Sequence, residues 1–204
     1  FNTTIANAYI KPQMKSYLSR LKGRLAKEGA YCPVFLMHSG GGIISLENAA
    51  EFPVRLVESG PAGGAVFAAH IAASHGLDRA LSFDMGGTTA KICLVKDHTP
   101  KTALTFEVAR TYRFKKGSGM PISIPVIDMV EIGAGGGSLA HVDSLGQIRV
   151  GPESAGSQPG PACYGRGGTA PTVTDSDLIL GNLDPAGFAG GSIQLYTERA
   201  SQSL

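Results

Sequence analysis

The sequence predicts an α/β fold with a mixed sheet, β-hairpins and a small number of helices. Apolar residues recur at helical spacing over residues 12–29, and short apolar runs that end in turn residues recur from residue 33 onward. Glycine is the third observation, because 28 of the 204 residues are glycine, about twice the usual ~7%. The glycines cluster beside the apolar runs, at residues 40–42, 60–64, 86–87, 133–137 and 165–168. Such clusters indicate tight turns or the close approach of a ligand to the backbone.

The composition is that of a globular chain with a sizeable core. Hydrophobic residues make up 43% of the chain and its formal net charge is +2, so nothing favours nucleic acid or an acidic membrane as a partner. No apolar run reaches the ~18 residues of a membrane span, and no signal peptide is evident, so we expect a soluble, cytoplasmic protein. Cys32, Cys93 and Cys163 fit no zinc or disulfide pattern, and Cys93 lies in an apolar stretch that predicts a core position. Because the chain begins with Phe1, we expect a piece of a longer protein.

The first elements are a helix, a strand and a second helix. The spacing of apolar residues predicts an amphipathic helix over 12–29, for which Gly29 is a suitable C-terminal stop. Residues 33–38 predict a short buried strand that runs into a glycine turn. Ser45 is then expected to be the N-cap of a short helix that ends before Pro53.

The stretch ESGPAGGA at residues 58–65 predicts the start of another helix. Pro61 suits a first helical turn, and the glycines after it lead into residues 65–75, which are apolar on most sides and are expected to form a buried helix capped by Gly76. A helix start made of small residues either brings its free amides close to an anion or allows close packing against a neighbour.

The second half of the chain predicts strands and hairpins. Residues 79–87 predict a central strand, with residues 88–100 as its hairpin partner. Residues 102–114 predict a further strand, and a second hairpin is expected around 144–146. Residues 151–168 have almost no bulky apolar side chains, which is typical of either a disordered link or a long ordered loop at a functional site.

The stretch SFDMGGTTAKICLV at residues 82–95 carries the clearest chemical signal. The end of a strand places a buried Asp84 at the edge of the sheet, with its carboxylate pointing into the crevice. Gly86 and Gly87 permit positive φ angles and leave backbone N–H groups uncovered, which makes an anion cradle. Thr88 and Thr89 add hydroxyl donors for phosphate oxygens, and Asp84 is suited to holding Mg²⁺ through water or to orienting an attacking water.

The same stretch has a plainer interpretation, because a glycine β-turn alone would give the same pattern. Lys91 either neutralises phosphate or points to solvent. The GxxxxGK[ST] phosphate loop is absent from the sequence, and GAGGGS at 133–138 fails the GxGxxG pattern at Ser138. A nicotinamide-dinucleotide fold is therefore disfavoured.

Four stretches in a fixed order resemble one protein family. These are ESGPAGGA, FDMGGTTAK, IDMVEIGAGGGSLAHVD and GPESAGSQPGPACYGRGGTAPTVTD, and the opening NAYIKPQMKSYLSRL and MHSGGGIIS belong to the same series. The series resembles the hydantoinase A / 5-oxoprolinase family over nearly the whole chain. That family is similar to the actin, sugar-kinase and chaperone ATPases, so the resemblance implies a ribonuclease-H-like lobe of a two-lobed protein around a nucleotide cleft.

The resemblance also assigns roles to residues. It implies that Asp84 faces the metal-bound phosphates of ATP, as a catalytic group and a Mg²⁺ ligand through water, and that the segment 58–65 connects the lobes. The glycine turn at 133–138 would line the cleft. The residues that the resemblance places at the nucleotide are Gly60, Gly63, Gly64, Gly86, Gly87, Thr88, Thr89, Gly135, Gly136 and Gly137.

The resemblance further implies a division of the chain. Residues 1–76 would be the end of the first lobe with the connecting helix, and residues 77–204 the start of the second lobe with its phosphate hairpin and glycine-rich loop. The corresponding hairpin of the first lobe is expected upstream, because nothing before residue 82 has the D-x-G-G-T form. We therefore expect these residues alone to lack ATPase activity.

Members of the family couple ATP hydrolysis to the opening of a cyclic amide such as a hydantoin or 5-oxoproline. The resemblance therefore implies an ATP- and Mg²⁺-dependent ring-opening hydrolase that acts with a hydantoinase B-type partner subunit or fused domain. Two alternatives stay open: a subunit of an ATP-dependent ketone carboxylase, and an interaction lobe without turnover.

Other polar residues are expected to be structural. The histidines, among them His38, His98 and His141, lack the spacing of a metal site. Asp128 and Glu131 are three apart in a strand and would point to opposite faces. Asp175 or Ser176 is expected to cap a helical turn. Lys115 and Lys116 are expected to be solvated.

Overall fold

The computed structural model of the chain describes residues 1–112 and 117–204. The α-helices in these ranges are α1 (Asn2–Lys27), α2 (Leu46–Glu51), α3 (Ser59–Ser74), α4 (Val173–Ile179) and α5 (Thr197–Ser203). The strands are β1 (Phe35–Met37), β2 (Ile43–Ser45), β3 (Arg79–Met85), β4 (Ala90–Lys96), β5 (Thr99–Pro100), β6 (Thr102–Ala103), β7 (Phe106–Val108), β8 (Met120–Ile122), β9 (Val126–Ile127), β10 (Met129–Ile132), β11 (Ser138–Val142) and β12 (Ile148–Ser154). Short 3₁₀ turns lie at Pro53–Leu56, Ala162–Tyr164 and Phe188–Gly191. This mixture of helices and hairpins confirms the predicted α/β class.

The chain forms two compact units. The first unit comprises residues 1–84 and 92–130, and the second comprises residues 85–91 and 131–204. The predicted division at residue 76 concerns the lobes of a longer protein and stays a prediction. Within the described residues, no helix combines the length and the apolar character needed to cross a membrane.

The sheet that carries the central stretch has the strand order β10-β4-β3, and β5 pairs with β4. β4 is therefore the inner strand and β3 lies at the edge, so the prediction of a central strand at 79–87 was wrong. In this edge strand, Leu81 is 57% exposed and Phe83 is 53% exposed. The hairpin partner was predicted correctly, and Asp97 and His98 make the β4–β5 turn with positive φ angles of 49° and 59°.

The core of the first unit is built where α1 meets the small strands. Val54, Ile122, Ile124 and Val126 form one buried cluster, against which Ala6 and Ile10 of α1 pack. Helix α1 begins at Asn2 rather than near Pro12 and continues through that proline. The packing of Ala6 and Ile10 against the cluster stabilises this first part of the helix. The helix ends as predicted, because the Ala30 N–H donates to the Leu25 carbonyl (2.9 Å) and Gly29 has φ +82°.

Helix α3 differs from its prediction at its start and in its burial. It begins at Ser59, after Glu58 in the left-handed region (φ 62°), so its glycines lie inside the helix rather than before it. Only one face is buried, through Ala62, Ala65, Ala69 and Ala72, and Phe67 on another face is 64% exposed. Ala62 and Ala65 pack against Cys93 of β4 and Ile127 of β9. Four alanines one turn apart form a narrow stripe, whereas overall hydropathy suggested a helix buried on most sides.

Several local predictions are confirmed in the first unit. The Ser45 side chain accepts a hydrogen bond from the Asn48 N–H (3.3 Å) and caps α2, which ends before Pro53. Cys93 is buried, and burial raises the pKa of its thiol. The strand at 33–38 exists as β1, although Phe35 is exposed, and in the described part of the chain β1 forms a two-stranded sheet with β2.

The predicted strand at 102–114 is instead divided into β6 and β7. Its last residues, 113 and 114, lie outside the described residues, and so do Lys115 and Lys116 with their predicted solvation. Asp128 pairs with Lys101 (2.7 Å) and directly precedes β10, in which Glu131 lies. Asp128 thus has a structural partner of opposite charge.

Candidate functional site

The hairpin between β3 and β4 is closed by one backbone hydrogen bond. The Gly86 N–H donates to the Thr89 carbonyl (2.9 Å), which leaves Gly87 and Thr88 at the tip. Among the described residues, the N–H groups of Gly87 and Thr88 donate to no protein acceptor. Thr88 is exposed and Thr89 is half-buried. The tip therefore offers backbone and hydroxyl donors to a ligand.

The glycines of this hairpin are required neither by the turn nor by packing. Neither Gly86 nor Gly87 has a positive φ angle, contrary to the sequence-based expectation. A Cβ at Gly87 would meet nothing within 4 Å, and one at Gly86 would be 3.6 Å from the Thr89 carbonyl, an ordinary contact. Glycine costs conformational entropy, and the described part of the chain gives neither a φ angle nor a close contact that would require it at these two positions.

The glycine turn at 133–137 lies against the hairpin within the second unit. The Gly136 N–H donates to the Gly86 carbonyl (2.9 Å), and the Gly137 N–H donates to the Gly87 carbonyl (2.7 Å). The third amide, that of Gly135, donates to the Ser138 hydroxyl (2.9 Å), which is buried. The three amides thus have acceptors inside the protein, two of them in the hairpin. A nucleotide contact at Gly135, Gly136 and Gly137 stays a prediction.

Glycine is obligatory in this turn for steric reasons. A Cβ at Gly135 would lie 2.6 Å from the Thr88 nitrogen and 2.7 Å from the Gly86 carbonyl oxygen. One at Gly137 would lie 2.9 Å from the Gly87 carbonyl oxygen. These distances are shorter than real Cβ contacts, so a side chain would displace the hairpin.

Residues further along the chain hold the other side of the turn. The backbone N–H and the Oγ1 of Thr174 both donate to the Gly136 carbonyl (2.8 Å each). Thr172 caps α4, and its side chain accepts from the Asp175 N–H while the Asp175 carboxylate accepts from the Thr172 N–H. Asp175 is therefore the third helical residue of a capping box and not the N-cap. The T-x-x-D spacing is a known signature of this box, and it was the signal that the sequence offered for Thr172.

The remaining predicted site residues lie in the first unit. Asp84 ends the first of the two segments that make up that unit and is exposed, so its predicted burial was wrong. Within residues 1–112 and 117–204, its carboxylate takes part in no hydrogen bond or ion pair. Gly63 and Gly64 lie in the second turn of α3, where amides donate to carbonyls one turn earlier. Gly60 and Gly64 would tolerate a Cβ without any contact within 4 Å. A nucleotide contact at these three glycines stays a prediction, one that would depend on their lack of side chains.

The other candidate residues have local roles or no metal geometry. The His38 Nδ1 accepts a hydrogen bond from the Gly40 N–H (3.0 Å), which places that histidine in the structure of its own turn. His98 and His141 lie in hairpins, as expected. Lys91 is half-buried in β4. Across residues 1–112 and 117–204, no group of three or more His, Cys, Asp or Glu side chains is placed to bind a metal.

The segment 151–168 forms ordered structure that belongs to the second unit. Strand β12 extends to Ser154, the Ala155 N–H donates to the Gly137 carbonyl (2.8 Å), and a 3₁₀ turn follows at Ala162–Tyr164. Of the two interpretations of this segment, the ordered loop is the one observed. Through the hydrogen bond from Ala155 to Gly137, this loop also stabilises the glycine turn at 133–137.

Comparison with known proteins identifies the family to which the chain belongs. The model of the hydantoinase/oxoprolinase family matches residues 1–204, so the chain belongs to that family and the resemblance drawn from the motifs is confirmed. The caprolactamase subunit alpha of Pseudomonas jessenii is 38% identical over 100% of this chain, which covers 28% of that relative. The 5-oxoprolinase 1 of Arabidopsis thaliana is 33% identical over 91% of this chain, which covers 14% of it. The chain thus spans less than a third of the length of these relatives.

Solved structures support the fold. The ATP-dependent caprolactamase from Pseudomonas jessenii has 37% identity and a TM-score of 0.66 over 99% of this chain, which covers 28% of that chain. The nucleotide-free structure of an acetone carboxylase, an enzyme of ATP-dependent acetone carboxylation, has 27% identity and a TM-score of 0.69 over 99% of this chain, which covers 27% of that chain. The mixed α/β fold is consistent with the expected actin-like lobe.

We predict that Gly135→Ala destabilises the second unit by about 1–3 kcal/mol, since the new Cβ would overlap backbone atoms of Thr88 and Gly86. Denaturant unfolding measures the loss. Gly23→Ala is the matched control, because a Cβ there meets nothing within 4 Å and the residue lies in α1, where alanine is favoured by up to ~1 kcal/mol. Equal stability of the two variants would contradict the steric requirement.

Proposed function

We propose that the hairpin at Gly86–Thr89 binds the phosphate groups of ATP. The observation that carries the proposal is the pair of N–H groups at Gly87 and Thr88, which have no protein acceptor in the described part of the chain. Backbone amides at a tip without side-chain bulk are suited to close contact with phosphate oxygens. The hydroxyls of Thr88 and Thr89 add donors, and the glycines, which neither turn nor packing requires, leave room for the ligand.

Asp84 is proposed to hold Mg²⁺ through water. It directly precedes this segment in the chain, and its exposed carboxylate has no described hydrogen-bond donor. Mg²⁺ prefers oxygen ligands and keeps several waters, so a single carboxylate is a sufficient protein contribution. When bound, the metal would neutralise charge on the phosphate oxygens.

For the whole protein we propose an ATP-dependent ring-opening hydrolase of cyclic amides. Relatives named as caprolactamase and 5-oxoprolinase support this class. Transfer of the γ-phosphoryl group to the lactam oxygen would turn a poor leaving group into a good one. Overall, ATP, two waters and a lactam give ADP, phosphate and the open-chain amino acid. Phosphoryl transfer of this kind depends mainly on positioning and charge neutralisation, which amides, hydroxyls and one carboxylate provide.

Partners and location follow the same reasoning. The relative named as subunit alpha supports a partner subunit, and we propose one of the hydantoinase B type or a fused equivalent. We propose a cytoplasmic location, where ATP is available. An ATP-dependent ketone carboxylase is the second candidate, favoured by the structural match to acetone carboxylase.

We predict that Gly87→Ala in the full-length protein weakens ATP binding about tenfold or more, which is about 1.4 kcal/mol of binding free energy. The methyl group would occupy the space that a phosphate oxygen needs, while the fold has room for it. Calorimetric titration with MgATP gives the affinity, and unfolding should change by less than ~0.5 kcal/mol. Wild-type affinity in a normally folded Gly87→Ala variant would remove the hairpin from the site.

We predict that Asp84→Asn lowers the rate of MgATP hydrolysis by the full-length protein on the order of 100-fold, because the amide removes the charge that holds the metal. Asp78→Asn makes the same change of charge at an exposed position six residues earlier and is the control. Steady-state release of phosphate measures both. Unchanged affinity and turnover in Asp84→Asn would refute its role.

We predict ring opening of cyclic amides by the full-length protein, with its partner subunit, in MgATP and without bicarbonate. A panel of lactams and hydantoins, assayed with and without bicarbonate by mass spectrometry, tests the reaction class. Product that requires bicarbonate and a ketone would support the carboxylase instead. ATP hydrolysis without change in any panel member would contradict the hydrolase proposal.

A further inference from the structure

A buried carboxylate outside the proposed phosphate site organises the second unit. Asp175, the third residue of α4, has 0% of its surface exposed. Its Oδ1 accepts from the Cys163 N–H (2.8 Å), and its Oδ2 accepts from the Ala162 N–H (3.3 Å). The same Oδ2 accepts from the N–H (2.9 Å) and Oγ1 (2.7 Å) of Thr172. Both oxygens are thus surrounded by donors from two separate segments of the chain.

The thiol of Cys163 belongs to this cluster. Burial raises its pKa to about 12, and its hydrogen bond to Asp175 adds to the effect. The thiol therefore keeps its proton at neutral pH and does not act as a nucleophile. The backbone and hydroxyl groups that contact the Asp175 carboxylate all donate to it, so a side chain that accepts on both oxygens is needed at this position.

The cluster is connected to the glycine turn by the next hydrogen bonds along α4. The capping box of Thr172 and Asp175 fixes the start of the helix. Thr174, between them, then donates its N–H and Oγ1 to the Gly136 carbonyl. Gly136 in turn donates to Gly86 in the hairpin. All of these residues belong to the second unit.

The turn has limited freedom to adjust on its own. A Cβ at Gly136 would be 2.7 Å from the Thr174 Oγ1, so the helix start and the turn are in close contact. The Ala140 N–H also donates to the Pro171 carbonyl (2.9 Å), which ties β11 to the residue before the cap. A shift in the start of α4 would therefore move the Gly136 carbonyl, which accepts from Thr174. The hairpin at Gly86–Thr89 would move as well, because Gly136 donates to Gly86.

We propose that Asp175 is a positioning residue for the hairpin at Gly86–Thr89. Asp175 holds the start of α4 and the 3₁₀ turn at Ala162–Tyr164 together. The hydrogen bonds from Thr174 to Gly136 and from Gly136 to Gly86 then fix the position of the hairpin. Asp175 itself touches no substrate. The role in ATP binding rests on the proposed function of the hairpin, whereas the mechanical connection does not.

The test uses Asp175→Asn in the full-length protein, because this change keeps the shape and replaces one acceptor oxygen with a donor. At least one of the four backbone and hydroxyl donors then faces another donor. We expect amide exchange in residues 133–137 and 85–91 to accelerate at least tenfold without nucleotide, and KM for ATP to rise about tenfold with a smaller change in kcat.

Leu195→Ala is the matched control, since Leu195 is buried in the core of the same unit and makes none of these hydrogen bonds. It should accelerate exchange equally in 133–137 and in residues 141–149, the end of the β11–β12 hairpin away from α4, as general destabilisation does. Asp175→Asn should accelerate exchange in 133–137 more than in residues 141–149. Thr174→Val should reproduce the selective effect, and Thr174→Ser, which keeps the hydroxyl, should restore the wild-type values.

The outcomes separate the two proposals. Equal acceleration of both segments in Asp175→Asn, as in Leu195→Ala, would overturn the positioning role, and so would wild-type exchange in Thr174→Val. Selective acceleration in Asp175→Asn, combined with the absence of ATP binding by the wild-type protein, would support the mechanical connection and overturn the proposed function of the hairpin.

Discussion

Two hydrogen bonds between backbone groups hold the candidate site together. The N–H groups of Gly136 and Gly137 donate to the carbonyls of Gly86 and Gly87, and the two segments approach so closely that a side chain at Gly135 would overlap the hairpin. Backbone groups at this distance form good hydrogen bonds only where no Cβ intervenes. The loop after β12 and helix α4 also supply hydrogen-bond donors to the same turn, through Ala155 and Thr174.

The contact divides the glycines into two kinds. Those at 135–137 are required by the chain's own packing, and their amides are used inside the protein. Gly86 and Gly87 are required by neither packing nor φ angle, and the tip that they introduce keeps its N–H groups at Gly87 and Thr88 without a protein acceptor. From composition alone both kinds look the same, because a cluster of glycines indicates close approach without saying what approaches.

Local signals in the sequence predicted local structure well. The cap at Ser45, the stop at Gly29 and the hairpin around 144–146 depend on residues within a few positions of each other, and all three are present. The motif order also predicted the family. The edge position of β3 and the narrow buried stripe of α3 could not be predicted in this way, because they depend on which elements pack beside them. Hydropathy reports that a residue is suited to burial, not that a neighbour covers it.

The support of the site was missed for the same physical reason. Asp175 or Ser176 was expected to cap a helical turn, which is a local interaction, yet the Asp175 carboxylate also accepts from Ala162 and Cys163, more than ten residues earlier. Thr174 reaches Gly136, 38 residues away. A sequence pattern identifies a capping box but gives no sign of the second set of donors. A carboxylate with no exposed surface needs hydrogen-bond donors on every side, so the ordered loop at 151–168 follows from Asp175 once its burial is known. The structure thus shows that the residues of a local capping box, together with Thr174 between them, also connect a loop, a helix and a glycine turn.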